Sequence, residues 1–141
     1  MTADQGHPDS DELKAALRRI FDSQIPNYGS YNLVCASPAG DDDRHYVLGY
    51  RWNPLELILA PFDPQSLQGV EVPTSVGSTN LAHTELVGPG RLTVATITGR
   101  VFTFEVHPKA GLPATEGAGV IEQAADLEDF TGFLAEFRRI G

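Results

Sequence analysis

Leu13, Ala16, Leu17, Ile20 and Phe21 recur at the i, i+3, i+4, i+7, i+8 spacing that places side chains on one helix face. Asp9 stands ahead of the stripe as an N-cap, with Glu12 three residues on in the capping-box position. Pro26, Asn27 and Gly29 then stop the helix. A single narrow stripe predicts a helix that lies on another layer rather than one enclosed on all sides. From Tyr28 to His107 the period shortens to that of strands. Tyr31 to Ser37 is an apolar run. Arg44 to Trp52 alternates, with Tyr46, Leu48, Tyr50 and Trp52 on one side and His45, Val47, Gly49 and Arg51 on the other. Leu55 to Phe62 places Leu55, Leu57 and Leu59 together and Glu56 on an opposite, polar face.

Between residues 63 and 90 the pattern is broken by glycine and proline, and Val70 to Val76 and Asn80 to Val87 are the strand candidates. Gly88-Pro89-Gly90 predicts a turn. Arg91 to Thr98 and Val101 to Val106, joined at Gly99-Arg100, predict a hairpin with Phe102, Phe104 and Val106 facing one way. His107 to Gly119 is rich in Gly, Pro and Ala and reads as a loop. A last helix follows, with Asp126 as N-cap, Glu128 and Asp129 in the first turn, and Arg138 and Arg139 in the last, each charge complementing the helix dipole. Its stripe is Leu127, Phe130, Phe133, Leu134 and Phe137. Gly132 weakens this helix unless it permits a close approach to a strand.

The order helix, six or seven strands, helix predicts the α+β class: a curved, mostly antiparallel sheet flanked by an N-terminal and a C-terminal helix. Residues 1–8 are expected to form a disordered tail and residues 9–141 a single domain, since no repeat or linker divides the chain. The strand Phe102-x-Phe104-x-Val106, followed by a helix with an aromatic stripe, resembles the end of pleckstrin-homology-like barrels, whose C-terminal helix plugs one opening. The resemblance covers the last third of the chain. It implies a sheet curled into a barrel and carries no functional residue.

Composition narrows the partners. Nineteen acidic against 10 basic residues give a net charge of -9, which repels phosphate backbones and anionic lipid. Nucleic acid and membrane are therefore excluded as expected partners, and a basic protein partner is favoured. With 41% hydrophobic and 21% charged residues the chain is that of a folded domain. Cys35 is the only cysteine, set in the apolar run Leu33-Val34-Cys35-Ala36, where it is expected to act as a small buried hydrophobe. The polar, acidic start and the lack of an apolar run of ~18 residues lead to the expectation of a cytoplasmic protein.

Motifs for chemistry are few. Gly117-Ala118-Gly119 opens like a dinucleotide fingerprint, but Glu122 occupies the place of the third glycine. None of the serines lies in a G-x-S-x-G elbow, and His7, His45, His83 and His107 form no close ligand pair. No cofactor, metal site or catalytic residue is predicted. Asp41, Asp42 and Asp43 are contiguous and follow Gly40, whereas a calcium loop alternates its ligands ahead of a glycine. They predict a charged turn between two strands and a contact for a partner. Tyr46, Tyr50 and Trp52, with His45 beside them, are the candidate ligand-binding residues. The favoured reading is a non-catalytic binding or accessory module that meets a protein partner through its acidic surface. The alternative is a small-molecule or enzymatic pocket inside the curved sheet, lined by Tyr46, Tyr50 and Trp52. A homodimer through sheet edges or faces is compatible with either.

Overall fold

In the computed structural model, residues 10–25, 31–88, 90–114 and 117–140 are described. The expected tail at 1–8, the Asp9 cap, the breakers Pro26, Asn27 and Gly29, and Pro89 of the predicted turn lie outside them. Helix α1 spans Ser10–Asp22, and strands follow as β1 (Asn32–Pro38), β2 (His45–Trp52), β3 (Leu55–Asp63), β4 (Gln68–Gly69), β5 (Thr74–Gly77), β6 (Leu81–Gly88), β7 (Arg91–Thr96) and β8 (Val101–Glu105). Then come β9 (Lys109–Ala114), β10 (Gly117–Glu122), α2 (Ala124–Phe137) and a closing 3-10 turn at Arg138–Ile140. The main sheet runs β4-β3-β2-β1-β8-β7-β6, with β5 also paired to β3. All its pairings are antiparallel. Among the described residues no helix is long and apolar enough to cross a membrane.

The α+β class and the flanking helices match the sequence pattern, but the sheet does not close into a barrel. Strands β5 and β6 lie at opposite edges although only residues 78–80 separate them in the chain, so the sheet is strongly curved. Closure fails because β5 is four residues long and pairs β3, leaving β6 paired only to β7. The middle of the sheet is thin as well. Strand β1 pairs β2 from Asn32 to Ala36 but meets β8 only at Ser37 and Pro38.

Each face of the sheet has its own core. On one, Leu13, Leu17, Ile20 and Phe21 of α1 pack over Cys35, Val47, Ile58, Ala60 and Phe62. On the other, Phe130, Phe133 and Phe137 of α2 pack with Tyr46, Leu48, Tyr50, Leu57, Leu59, Phe102 and Phe104. Strands β2 and β3 are thus buried on both faces, which corrects the expectation that β3 is polar opposite its leucines. Glu56 is the polar exception on a face otherwise filled by Ile58, Ala60 and Phe62. Burying three phenylalanines of α2 contributes roughly 1.5–3 kcal/mol each before entropy is subtracted.

Two expectations about the C-terminal third are overturned. The segment read as a loop is a hairpin, β9 on β10, in register from Lys109↔Glu122 to Ala114↔Gly117. Ala110, Leu112 and Ile121 bury against α1, and a Cβ on Gly119 would come within 2.6 Å of Leu13 Cδ1. Position 119 holds a glycine because the helix rests on it. Helix α2 begins at Ala124, with Gln123 rather than Asp126 at the cap, and the Gln123 side chain makes no capping bond.

The close approach of α1 depends on Gly49. A Cβ there would lie 2.2 Å from Phe21 Cζ, while one on Gly132 would meet Trp52 Cη2 at an ordinary 3.7 Å. Gly49→Ala is therefore expected to destabilise by about 1–3 kcal/mol through overpacking. Gly132→Ala is expected to stabilise by about 0.5–1 kcal/mol through helix propensity. Urea denaturation of the two variants checks both signs, and a destabilised Gly132→Ala would show that this glycine is needed for packing.

Candidate functional site

Strands β1 and β2 are joined by a tight turn in which Ala39 and Asp42 exchange backbone hydrogen bonds of 3.1 and 3.0 Å. Gly40, at the first central position, has φ +60°, the glycine-first arrangement of a two-residue hairpin turn. The turn sorts the three aspartates. Asp42 points inward: its Oδ2 accepts the Tyr46 hydroxyl at 2.6 Å and the Thr103 N–H at 3.2 Å. Its Oδ1 accepts the Arg44 N–H and Nε at 3.2 and 3.0 Å. Burial pushes this carboxyl up, but the bonds from Arg44, Tyr46 and Thr103 outweigh it and hold the group below its ordinary range. Arg44 reaches on to Glu71 at 3.2 Å and lies over the Tyr46 and Phe102 rings. Asp41 and Asp43 remain exposed. They border a concavity of about 900 Å³ that also includes Glu71, Arg91, Thr93, Thr103 and the exposed Val87 and Val101.

The four candidate ligand residues do not converge. Tyr46 packs edge-on against Phe102 and Phe104, and Tyr50 lies between Phe130 and Phe133 at 5.1 and 5.0 Å. The Tyr50 hydroxyl donates to Asp129 at 2.7 Å. Burial first, then the carboxylate acceptors, raise both phenols well above their ordinary range. Trp52 is 43% exposed at the rim, edge-on to Phe133. His45 is on the other side of the sheet against Phe62, where burial lowers its pKa and Asp63 partly offsets this. Phenylalanine rings pack around Tyr46 and Tyr50 on the α2 side of the sheet.

A second polar cluster lies on the α1 side. Glu56 accepts hydroxyls from Tyr31, at 2.7 Å, and from Ser75, and pairs with Arg51 at 2.8 Å. Arg51 lies over the Tyr31 ring, 5.0 Å from its centre. Burial, then the bond to Glu56, pushes the Tyr31 phenol up to about 12. Among the described residues no group of three or more His, Cys, Asp or Glu is placed to hold a metal ion.

Sequence reasoning missed a cleft of about 460 Å³ between α1 and α2, floored by β1. Lys14, Leu17 and Arg18 form one wall, and Tyr50, Asp126 and Asp129 stand on the other. Lys14 Nζ and Asp126 Oδ2 meet across it at 3.1 Å. At its end the Gln123 amide behaves as a strand neighbour would. It accepts the Cys35 N–H at 2.9 Å and donates to the Cys35 carbonyl at 2.9 Å and to the His107 carbonyl at 2.8 Å. Cys35 is 1% exposed, and burial pushes its thiol up to about 12, so it is inert as a nucleophile. A glutamine before a helix carries no sequence signal for this role.

The Asp42 network has a pH signature. A carboxylate held below its unfolded pKa contributes stability in full above that unfolded value, about 3.9, and loses it as pH falls through the folded one. Asp42→Asn is expected to flatten this part of the acid dependence, measured by urea melts across the acid range. Asp42→Ala leaves the Tyr46 hydroxyl without its acceptor and is expected to cost about 1–3 kcal/mol. Asp41→Ala, at an exposed site, should stay within about 0.5 kcal/mol.

No known protein family, curated protein or solved structure matches the chain.

Proposed function

We propose that the protein is a non-catalytic binding module that receives a basic segment of a protein partner on the acidic concavity beside the β1–β2 turn. The observation that supports this is the division of labour among the three aspartates. Asp42 is consumed internally, while Asp41 and Asp43 are left outward at the edge of the concavity, on the face of β7 and β8 away from α2. Val87 and Val101, 53% and 56% exposed, supply apolar area on that face. An apolar centre with a charged rim is the usual anatomy of a protein interface. The lining holds four carboxylates, Asp41, Asp42, Asp43 and Glu71, against the guanidiniums of Arg44 and Arg91. With a net charge of -9 on the chain, the field draws a cationic partner toward it.

The reading as a non-enzyme rests on how the titratable groups are used. Asp42, Glu56 and Asp129 each accept a tyrosine hydroxyl, and the Cys35 thiol is buried. Such groups stabilise the fold and are not poised for proton transfer.

The double variant Asp41→Lys/Asp43→Lys is the test, because both positions are exposed and the fold should tolerate it. Cross-linking in cells and capture at low and high salt identify the partner, whose affinity is then measured. Binding should weaken with salt and drop at least about tenfold in the variant. A partner indifferent to both overturns the proposal.

A further inference from the structure

We infer that the cleft between α1 and α2 is a slot for one short extended peptide, which adds to the edge of β1 at Leu33 and carries an acidic residue flanked by basic ones. This names a second contact for a protein partner. It rests on the binding-module reading but not on the acidic concavity.

Cys35 exchanges both its hydrogen bonds with the Gln123 amide, so its N–H and C=O point away from β2. In an antiparallel ladder these directions alternate, so Leu33 and Ser37 point the same way. Ser37 is matched by Glu105 of β8. Leu33, which lines the cleft, has no partner on that side among the described residues, while the carbonyl of Tyr31, the next residue facing that way, accepts Arg18 Nη2 at 3.3 Å. A peptide laid along this edge would continue the row that β8 begins and Gln123 extends, the strand-addition mode of peptide recognition. A cleft of about 460 Å³ is within the usual range of ligand sites.

The side chains set the partner's chemistry. Helix α1 covers the face to which Leu33 and Cys35 belong, and α2 covers the face of Val34. A peptide residue opposite Leu33 therefore presents its side chain toward Lys14; Arg18 on the same wall is already engaged by the Tyr31 carbonyl at 3.3 Å and by Asp22 at 3.8 Å. The residues before and after it present theirs toward Asp126 and Asp129. Complementarity requires an acid in the first place and a base in the others. Lys14 and Asp126 now pair with each other, both about two-fifths exposed. Exposed pairs of this kind contribute little, so exchanging each partner for a peptide charge costs little.

The test uses a blocked, labelled pentapeptide of sequence Thr-Lys-Glu-Lys-Thr. Its controls are the charge-exchanged Thr-Glu-Lys-Glu-Thr and the first peptide N-methylated at Glu. The wild type should prefer the first peptide by about tenfold or more, lose it on N-methylation, and show slowed hydrogen exchange at the Leu33 amide. Lys14→Glu combined with Asp126→Lys retains an ion pair, leaves each wall with one charge of either sign, and should remove the preference. Equal binding of the three peptides by the wild type, or an unprotected Leu33 amide, overturns the inference. Asp41→Lys/Asp43→Lys should leave peptide binding within about twofold. If that variant abolishes it while the exchanged Lys14/Asp126 pair does not, the acidic concavity is the binding site and the cleft is not. If protein partners are captured through the concavity but no peptide enters the cleft, only the present inference falls.

Discussion

Strand β1 must serve two halves of a sheet that curve apart, and much of the molecule follows from that. It pairs β2 over five residues and β8 over two. Where β8 leaves, backbone groups of β1 lose their neighbour inside a protein, and each buried group left unpaired costs about 1–3 kcal/mol. The Gln123 amide takes over at Cys35, and in doing so pins the start of α2 against β1. With its first turn fixed there, Phe130, Phe133 and Phe137 fall into the concave side of the sheet. The same departure leaves the cleft at the edge of β1, between α1 and the start of α2.

Tyrosine hydroxyls are handled by one repeated device. Tyr31, Tyr46 and Tyr50 each bury a ring in a core and pass the hydroxyl to a carboxylate at its edge, namely Glu56, Asp42 and Asp129. A phenol so placed satisfies its polar atom without drawing water into the core. The acidity of the chain therefore has two origins. Some carboxylates are internal acceptors, and others, such as Asp41 and Asp43, are exposed and contribute only field.

Large apolar residues at strand or helix spacing were legible in the sequence. Strands β2, β3, β7 and β8 announce themselves by alternation, and α1 and α2 by their stripes, because periodicity is a local consequence of one buried face. What was not legible depends on neighbours distant in the chain. The β9–β10 hairpin looks like a linker because it is rich in glycine and alanine, of which Ala110 and Gly119 are sized to the helix resting on them. Glu56 looked like one residue of a polar face, although Ile58, Ala60 and Phe62 beside it carry the signal of burial under α1. Three contiguous aspartates are indistinguishable as letters, and only the turn at Gly40 selects Asp42 for the interior. Barrel closure was implied by the aromatic strand and helix, yet the length of β5, far from both, decides against it.

Open edges are the cost of a sheet that does not close, and this one limits each differently. The outer edge at β4 and β5 is cut into pieces of two and four residues, too short to template another strand. Strand β6 is long, but its register shifts between Leu81 and His83 and again between Leu86 and Gly88, and such bulges twist an edge out of the flat form that self-pairing needs. The edge of β1 at Leu33, unpaired among the described residues, is recessed between two helices, with Lys14 and Asp126 across its mouth. Another folded sheet cannot bring its edge down into that recess, because its own layers would collide with α1 and α2. A single extended chain has no such layers. Geometry that resists edge-to-edge pairing of two copies therefore still admits a peptide, and it is at β1 that the two demands are reconciled.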